Sequence, residues 1–317
     1  YFCYRNTRGR RLWCASLIEH PESRQPLLIL NLNASMTDKF HFLKALRPFS
    51  LIVALATCGL GASLAWLDGH KNTLLAVLVI IAGLLLQIAV NLINDQRDLK
   101  DKQLAPRQQR AIRRNTRIGF ISMTIAVVLG FYMVSLRGWP LLMLGLIGVL
   151  GAWGYTGGSI NYKARGLGVV LVFWLMGTLL ISGSYYAVAG HYQWSVFWLS
   201  LPFSVLSSLL LLSNELRDYE QDKADGIQTL CVRLGYQSGV MLYYALVIIL
   251  YLTSVLLYLG SLLPSITGVL LSALVLASPL KLLAVSLPDR QKLTPLTGRF
   301  YLIYSVLFIA TIWLSQP

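Results

Sequence analysis

Long apolar stretches set the rhythm of this chain, and the charged residues fall mostly in the gaps between them. An apolar run of about 20 residues is long enough to cross a bilayer as an α-helix. Nine runs come near that length, at 49–67, 73–93, 118–136, 139–156, 166–189, 194–213, 238–260, 262–284 and 299–315. Little more than Arg137-Gly138 separates the third run from the fourth, which predicts a tight antiparallel hairpin. No window alternates apolar and polar positions with period two, which argues against a membrane β-barrel. The pattern predicts an all-α fold, a multi-pass transmembrane bundle of about nine helices. Gly59, Gly61, Gly145, Gly148, Gly151 and Gly154 suggest close helix contacts within it.

Composition supports the same class. Only 13% of the residues are charged and 56% are hydrophobic, whereas a soluble domain has about 25% and 45–50%. A length of 317 residues alone would suggest about two soluble domains, but the apolar runs override that prior. Residues 36–317 read as one membrane-embedded domain. Residues 1–35 begin with Tyr1 and mix arginines with a short apolar stretch. They are expected to form a poorly ordered N-terminal extension before Met36, with a targeting segment as the alternative.

Basic residues orient the bundle. With nine spans, 25 of the 27 Lys and Arg residues fall on one side, leaving only Lys71 and Arg137 on the other. The positive-inside rule puts the N-terminus and the charged loops in the cytoplasm and the C-terminus outside. A bacterial-type cytoplasmic (inner) membrane is the expected location. The net charge of +14 follows from this asymmetry. No nucleic-acid recognition motif accompanies it, so a nucleic-acid partner is not expected. Cys3, Cys14, Cys58 and Cys231 lack metal-ligand spacing and the four histidines form no cluster, so neither residue type is a favoured nucleophile.

The acids are distributed differently. Eight of the 13 fall in two short windows, Asp95, Asp98 and Asp101 in one, Glu215, Asp218, Glu220, Asp222 and Asp225 in the other. Both windows lie at the ends of even-numbered spans and therefore on the cytoplasmic side. On a helix, residues three, four and seven apart share a face. Asn91, Asp95 and Asp98 form one such stripe, and Asn214, Asp218 and Asp222 form another. Like charges stacked at a helix C-terminus repel each other and oppose the helix dipole. A solvated helix end explains one such cluster; two matched clusters point to a divalent cation. Mg²⁺ takes hard oxygen ligands, typically one or two carboxylates together with substrate phosphates. The metal set expected here is Asp95, Asp98, Asp101, Asp218 and Asp222. Two other readings stay open, an ion-coupled transporter and a non-catalytic scaffold. Transporter sites favour the membrane midplane, and a scaffold leaves the repeated Asn/Asp spacing unexplained.

Three segments carry a family resemblance. "NLINDQRDLKD" at 91–101, "YTGGSINYKARGLG" at 155–168 and "NELRDYEQDKADGIQTLCVRLG" at 214–235 resemble the first acidic motif, the middle loop and the second acidic motif of the UbiA superfamily of membrane prenyltransferases. Within it the chain is most similar to the 1,4-dihydroxy-2-naphthoate polyprenyltransferases of menaquinone biosynthesis. It departs from that pattern at Asp101, Val169, Glu215 and Ile227-Gln228. The resemblance implies Mg²⁺-dependent transfer of a polyprenyl group from polyprenyl diphosphate to an aromatic acceptor. That acceptor would be 1,4-dihydroxy-2-naphthoate, or 4-hydroxybenzoate or another ring as in related branches. It assigns catalysis to Asp95, Asp98, Asp218, Asp222 and Lys163, with the π-face of Tyr155 available to an allylic cation. Substrate binding falls to Asn91, Asn94, Arg107, Arg165, Asn214 and Arg217. The expected partners are the two substrates and the lipid bilayer; no obligatory protein partner is evident.

Overall fold

The computed structural model describes residues 40–101, 104–156, 162–284 and 289–315. The expected extension at 1–35 lies outside these residues, and the side chains of Asp101 and Tyr155 lie outside the description as well. Among the described residues nine apolar helices carry the fold. They are α1 (Pro48–Leu67), α2 (Thr73–Asn94), α3 (Pro106–Arg137), α4 (Trp139–Thr156) and α5 (Gly168–Ala189). The rest are α6 (Trp194–Arg217), α7 (Tyr236–Leu259), α8 (Thr267–Leu282) and α9 (Leu293–Leu314). Seven are long and apolar enough to cross a membrane; α4 and α8 are shorter apolar helices. There is no strand among the described residues.

Most boundaries fall where the apolar runs end, and the exceptions have local causes. Helix α3 starts at Pro106, not near residue 118, so the arginine-rich stretch is helical. Proline suits the first helical position, and Gln108 Oε1 accepts the Ala105 N–H at 2.9 Å to close that end. Only Gly138 separates α3 from α4; its φ of +79° makes the sharp turn. Helix α5 contains a π-helical stretch, Phe173–Leu179. Helix α8 is divided at Ser272 into Thr267–Leu271 and Ala273–Leu282. Helix α9 starts at Leu293, six residues before the expected 299.

Helix α6 is the most buried of the nine and packs against α5, α7 and α9, while α1 lies against α2, α5 and α9. Aromatic residues of α6 and α9 form the centre, with Phe203 edge-on to Tyr301, Tyr304 and Phe308. Buried hydroxyls there are paired across helices, Tyr243 with Thr297 at 2.8 Å and Tyr301 with Ser207 at 3.2 Å. Such pairing is needed where no water reaches. The outer surface is apolar: Phe120, Ile121, Val128 and Phe131 on α3 and Ile248 and Leu252 on α7 are exposed. This inverted surface is that of an integral membrane protein. Trp139 and Trp194 stand exposed at the starts of α4 and α6, where indole rings favour the membrane interface.

At that same end Arg137 caps α5. Its Nε donates to Ala187 O at 2.9 Å and its Nη2 to Val188 O, satisfying carbonyls that a helix C-terminus leaves open. The glycine pattern holds only in part. A Cβ on Gly61 would meet Ile181 O at 2.5 Å, so α1 and α5 touch there, whereas Gly59 and Gly145 face open space. Gly61→Ala should therefore lower the melting temperature in detergent, by about 1–3 kcal/mol of overpacking, while Gly59→Ala leaves it unchanged. Equal melting of the two variants would contradict this packing.

Candidate active site at one end of the bundle

The first acidic segment does not continue α2 as one helical face. Helix α2 ends at Asn94, followed by a 3₁₀ turn, Asp95–Arg97, and a single α-turn, Asp98–Asp101. Tightening the last turn in this way is a common answer to unsatisfied helix-end carbonyls. The Asn91–Asp95 spacing nevertheless has a clear use. Asn91 is buried, and its Nδ2 donates to Leu46 O at 2.7 Å and to Ser50 Oγ at 2.6 Å. Its Oδ1 accepts from Gln87 at 3.1 Å. Thus Asn91 pins the entry of α1 to the last turns of α2. One turn further on, Asp95 is only 3% exposed, and its Oδ1 accepts from Arg47 Nη2 at 2.8 Å.

Arg47 is a site residue that the sequence did not single out. It precedes Pro48, and a residue before proline is disfavoured in the right-handed helical region. Here it takes a left-handed conformation, φ +49°, which is uncommon for a residue with a side chain. That backbone turns the guanidinium toward Asp95 while Pro48 opens α1. Asn94 and Asp98 are half-buried nearby in sequence, and Arg107 is exposed in the first turn of α3.

The second acidic segment follows the end of α6. Asp218 breaks the helix with φ −93° and ψ 7°, and Tyr219–Ala224 forms a separate short helix. Arg217 grips Asp218 in a bidentate pair, Nε to Oδ1 at 2.7 Å and Nη2 to Oδ2 at 2.6 Å. Asn214 is half-buried, and its carbonyl accepts the Asp218 N–H at 2.9 Å. Burial pushes the Asp222 carboxyl up to about 6; Lys163 pulls it down, and Asp218 and Asp225 push it up again. The shift is mainly one of burial, to which the neighbouring acids add.

Lys163 comes from the middle loop, where Tyr162–Arg165 forms a 3₁₀ turn. Its charge acts on both Asp222 and Glu215, so the middle loop lies beside the second acidic segment. Arg233 fastens the two together, donating from Nε to Gln228 O at 3.1 Å and from Nη2 to Ala164 O at 3.3 Å. Gly166, with φ +75°, lets the loop pass; a Cβ there would lie 2.7 Å from Arg233 Cδ. Arg165 is exposed on the same turn. Among the described residues no three His, Cys, Asp or Glu side chains are grouped closely enough to hold a metal.

Glu215 is the second residue that sequence reasoning missed as a site component. It is 3% exposed and its Oε2 accepts the Cys231 N–H at 3.1 Å. Leu230 also donates to it through its backbone. Glu215 therefore caps the short helix Leu230–Leu234 from outside that helix. Thr229, the N-cap by position, makes no side-chain cap bond. The signal in the sequence was an acid in a helix end that is otherwise buried. Burial, with Glu215 alongside, raises the Cys231 thiol well above the ordinary range, which disfavours the thiolate a nucleophile needs. Glu215→Gln, which keeps a carbonyl oxygen for Cys231, should melt higher than Glu215→Leu by about 1–3 kcal/mol. A leucine variant as stable as the glutamine variant would remove this capping role.

Curated relatives and solved structures extend the comparison. The 1,4-dihydroxy-2-naphthoate octaprenyltransferase of Escherichia coli (strain K12) is 30% identical over 299 residues, covering 87% of this chain and 96% of that protein. The Mycobacterium tuberculosis protein of the same name is 31% identical, covering 77% of this chain and 81% of that one. Among solved structures, a UbiA homolog from Aeropyrum pernix K1 superposes with a TM-score of 0.63 at 18% identity, covering 83% of this chain and 97% of its own. A UbiA homolog from Archaeoglobus fulgidus bound to GPP and Mg²⁺ gives a TM-score of 0.57 at 14% identity, covering 85% and 99%. The sequence model of the UbiA prenyltransferase family matches residues 54–306, which takes in both acidic segments and the middle loop between them, and the chain belongs to the UbiA prenyltransferase family.

Proposed function

We propose that this enzyme transfers a polyprenyl group from a polyprenyl diphosphate to 1,4-dihydroxy-2-naphthoate in quinone biosynthesis, with Mg²⁺ as its cofactor and its site facing the cytoplasm. The observation that carries the reading is the assembly of Lys163, Arg217, Asp218 and Asp222 around the end of α6. Asp95 and Arg47 stand at the end of α2, on the same side of the bundle by the alternation of the spans. Names shared by relatives at 30% and 31% identity support the choice of acceptor.

The residues present suit Mg²⁺. The donors gathered here are carboxylate oxygens, which hard cations prefer. Burial raises Asp222 to about 6, with Asp218 and Asp225 adding to it, and Glu215 Oε1 is buried with no hydrogen-bond partner among the described residues. Asp95, Asp98, Asp101, Asp218 and Asp222 would hold the ions. Bound Mg²⁺ would neutralise charge on the diphosphate as a Lewis acid.

The chain's own groups supply the rest. Arg47 and Arg217 neutralise Asp95 and Asp218 in the absence of substrate, and both guanidinium groups are suited to phosphate oxygens. Lys163 adds a cation beside Asp222, and Arg107 and Arg165 add exposed positive charge for an approaching diphosphate. Asn91 positions by holding α1 against α2, while Asn94 and Asn214 offer amides beside the acids. As the allylic C–O bond breaks, its electron pair leaves with the diphosphate, and preorganised cations lower the energy of that charge. The acceptor's ring carbon bearing the carboxylate gives the electron pair of the new C–C bond. Loss of the carboxylate as CO₂ then returns a pair to the ring. The family resemblance offers the ring of Tyr155 to the cation.

Purified enzyme given Mg²⁺, a polyprenyl diphosphate and a panel of aromatic acids should prenylate 1,4-dihydroxy-2-naphthoate and should fail in EDTA. Asp95→Ala and Asp218→Ala should each slow turnover by about 100- to 1,000-fold and still elute as folded protein. Near-normal turnover in both variants, or activity unaffected by EDTA, would overturn the proposal. Preference for 4-hydroxybenzoate would correct the acceptor alone.

A further inference from the structure

A second built site lies beside the first and is untouched by the proposed chemistry. A cavity of about 500 Å³ opens where the start of α7 meets Leu283, Ala284 and Arg290. Tyr236, Gln237, Val240 and Tyr244 line it from α7, Leu283 and Ala284 from beyond α8, and Arg290 closes one end. Tyr244 and Ala284 are exposed, so the cavity opens on the outer surface of the bundle. Its place along the membrane normal is fixed by Tyr236, whose ring meets that of Tyr219, next to Asp218, at 5.6 Å. The cavity therefore starts at the same membrane face as the acidic segments.

Arg290 is the unusual element. It is 8% exposed, and neither its Nε nor its Nη1 meets a hydrogen-bond acceptor among the described residues. Its guanidinium lies over the Tyr236 ring, 4.0 Å from the centroid. That contact attracts the charge but leaves N–H donors in the guanidinium plane without acceptors. The Tyr236 hydroxyl is turned away and donates to Leu283 O at 3.3 Å. A buried, unpaired cation is costly to keep, so an anionic partner is called for.

The shape of the cavity says which kind. Positions 236, 240 and 244 share one face of α7, and eight residues of helix rise about 12 Å. A buried cation thus stands at the membrane edge, below a wall of Val240 and the Tyr244 ring that climbs into the bilayer on the lipid side. A free phosphate would use the guanidinium and leave the wall bare. A phospholipid uses both, its phosphate on Arg290 and an acyl chain along Val240 and Tyr244. Exposed Lys281 and Lys292 flank the opening in sequence and favour a lipid of net negative charge, whose phosphate is not already paired with its own ammonium group. We propose that the groove between α7 and α8 binds an anionic phospholipid through Arg290.

The test uses the full chain in detergent. Phosphatidylglycerol, phosphatidylcholine and inorganic phosphate are compared as ligands, with bound lipid counted by native mass spectrometry. The parent should retain phosphatidylglycerol saturably and in preference to phosphatidylcholine. Arg290→Gln should weaken that binding by roughly 10- to 100-fold, the usual worth of a hydrogen bond to a charged group. Ala284→Trp, which fills the groove and keeps the cation, should weaken it as well, and it decides the question alone if the arginine variant does not fold. Equal retention of the two lipids by the parent, unchanged binding in Ala284→Trp, or displacement of the lipid by millimolar phosphate would overturn the proposal.

Discussion

Everything at the functional end of this protein turns on how carboxylates are kept at the ends of apolar helices. A helix C-terminus already carries partial negative charge, and the surrounding bundle offers little water. The structure meets this with one arginine per acidic segment, Arg47 on Asp95 and Arg217 on Asp218. The two pairs differ in origin. Arg217 is the neighbour of its acid in sequence, whereas Arg47 arrives from 48 residues away on a backbone bent into the left-handed region. Both guanidinium groups are partly exposed, 42% for Arg47 and 27% for Arg217. Partial exposure leaves both within reach of an incoming anion.

Around these pairs, the connecting segments are fixed mainly by polar links to backbone groups. Asn91 joins the start of α1 to α2 through Leu46 O and Ser50 Oγ. Glu215 holds the start of Leu230–Leu234, and Arg233 returns from that helix to Ala164 in the middle loop. Packing in the membrane sets the helices, and these links set the loops that carry Lys163 and Asp222. A site for charged substrates can then sit at the end of an apolar bundle without a preformed cluster of three acids.

The spans, the tight turn at Gly138 and the two acidic segments at the ends of α2 and α6 were legible in the sequence. Apolar run length, turn chemistry and Asn/Asp spacing are local signals. What escaped is non-local or depends on a break in periodicity. The pairing of Arg47 with Asp95 needs the α1–α2 packing, which no spacing reveals. Continuous stripes were expected through Asp98 and Asp222, yet both helices break at the acids, because like charges at a C-terminus work against another helical turn. Arg290 read as one more basic residue of a charged loop; only the fold shows its guanidinium buried on Tyr236. Length of helix α3 was underestimated because arginine and glutamine look like loop residues by charge while being good helix formers.

The central claim is that the two acidic segments serve one diphosphate site whose charge is balanced by a divalent ion. Calorimetric titration with a non-ionising prenyl thiodiphosphate, with and without Mg²⁺, measures this directly on the parent and on Asp95→Asn and Asp218→Asn. The account predicts Mg²⁺-dependent binding in the parent and its loss in each variant. Binding that needs no Mg²⁺, or that disappears in one variant and is unchanged in the other, would contradict it.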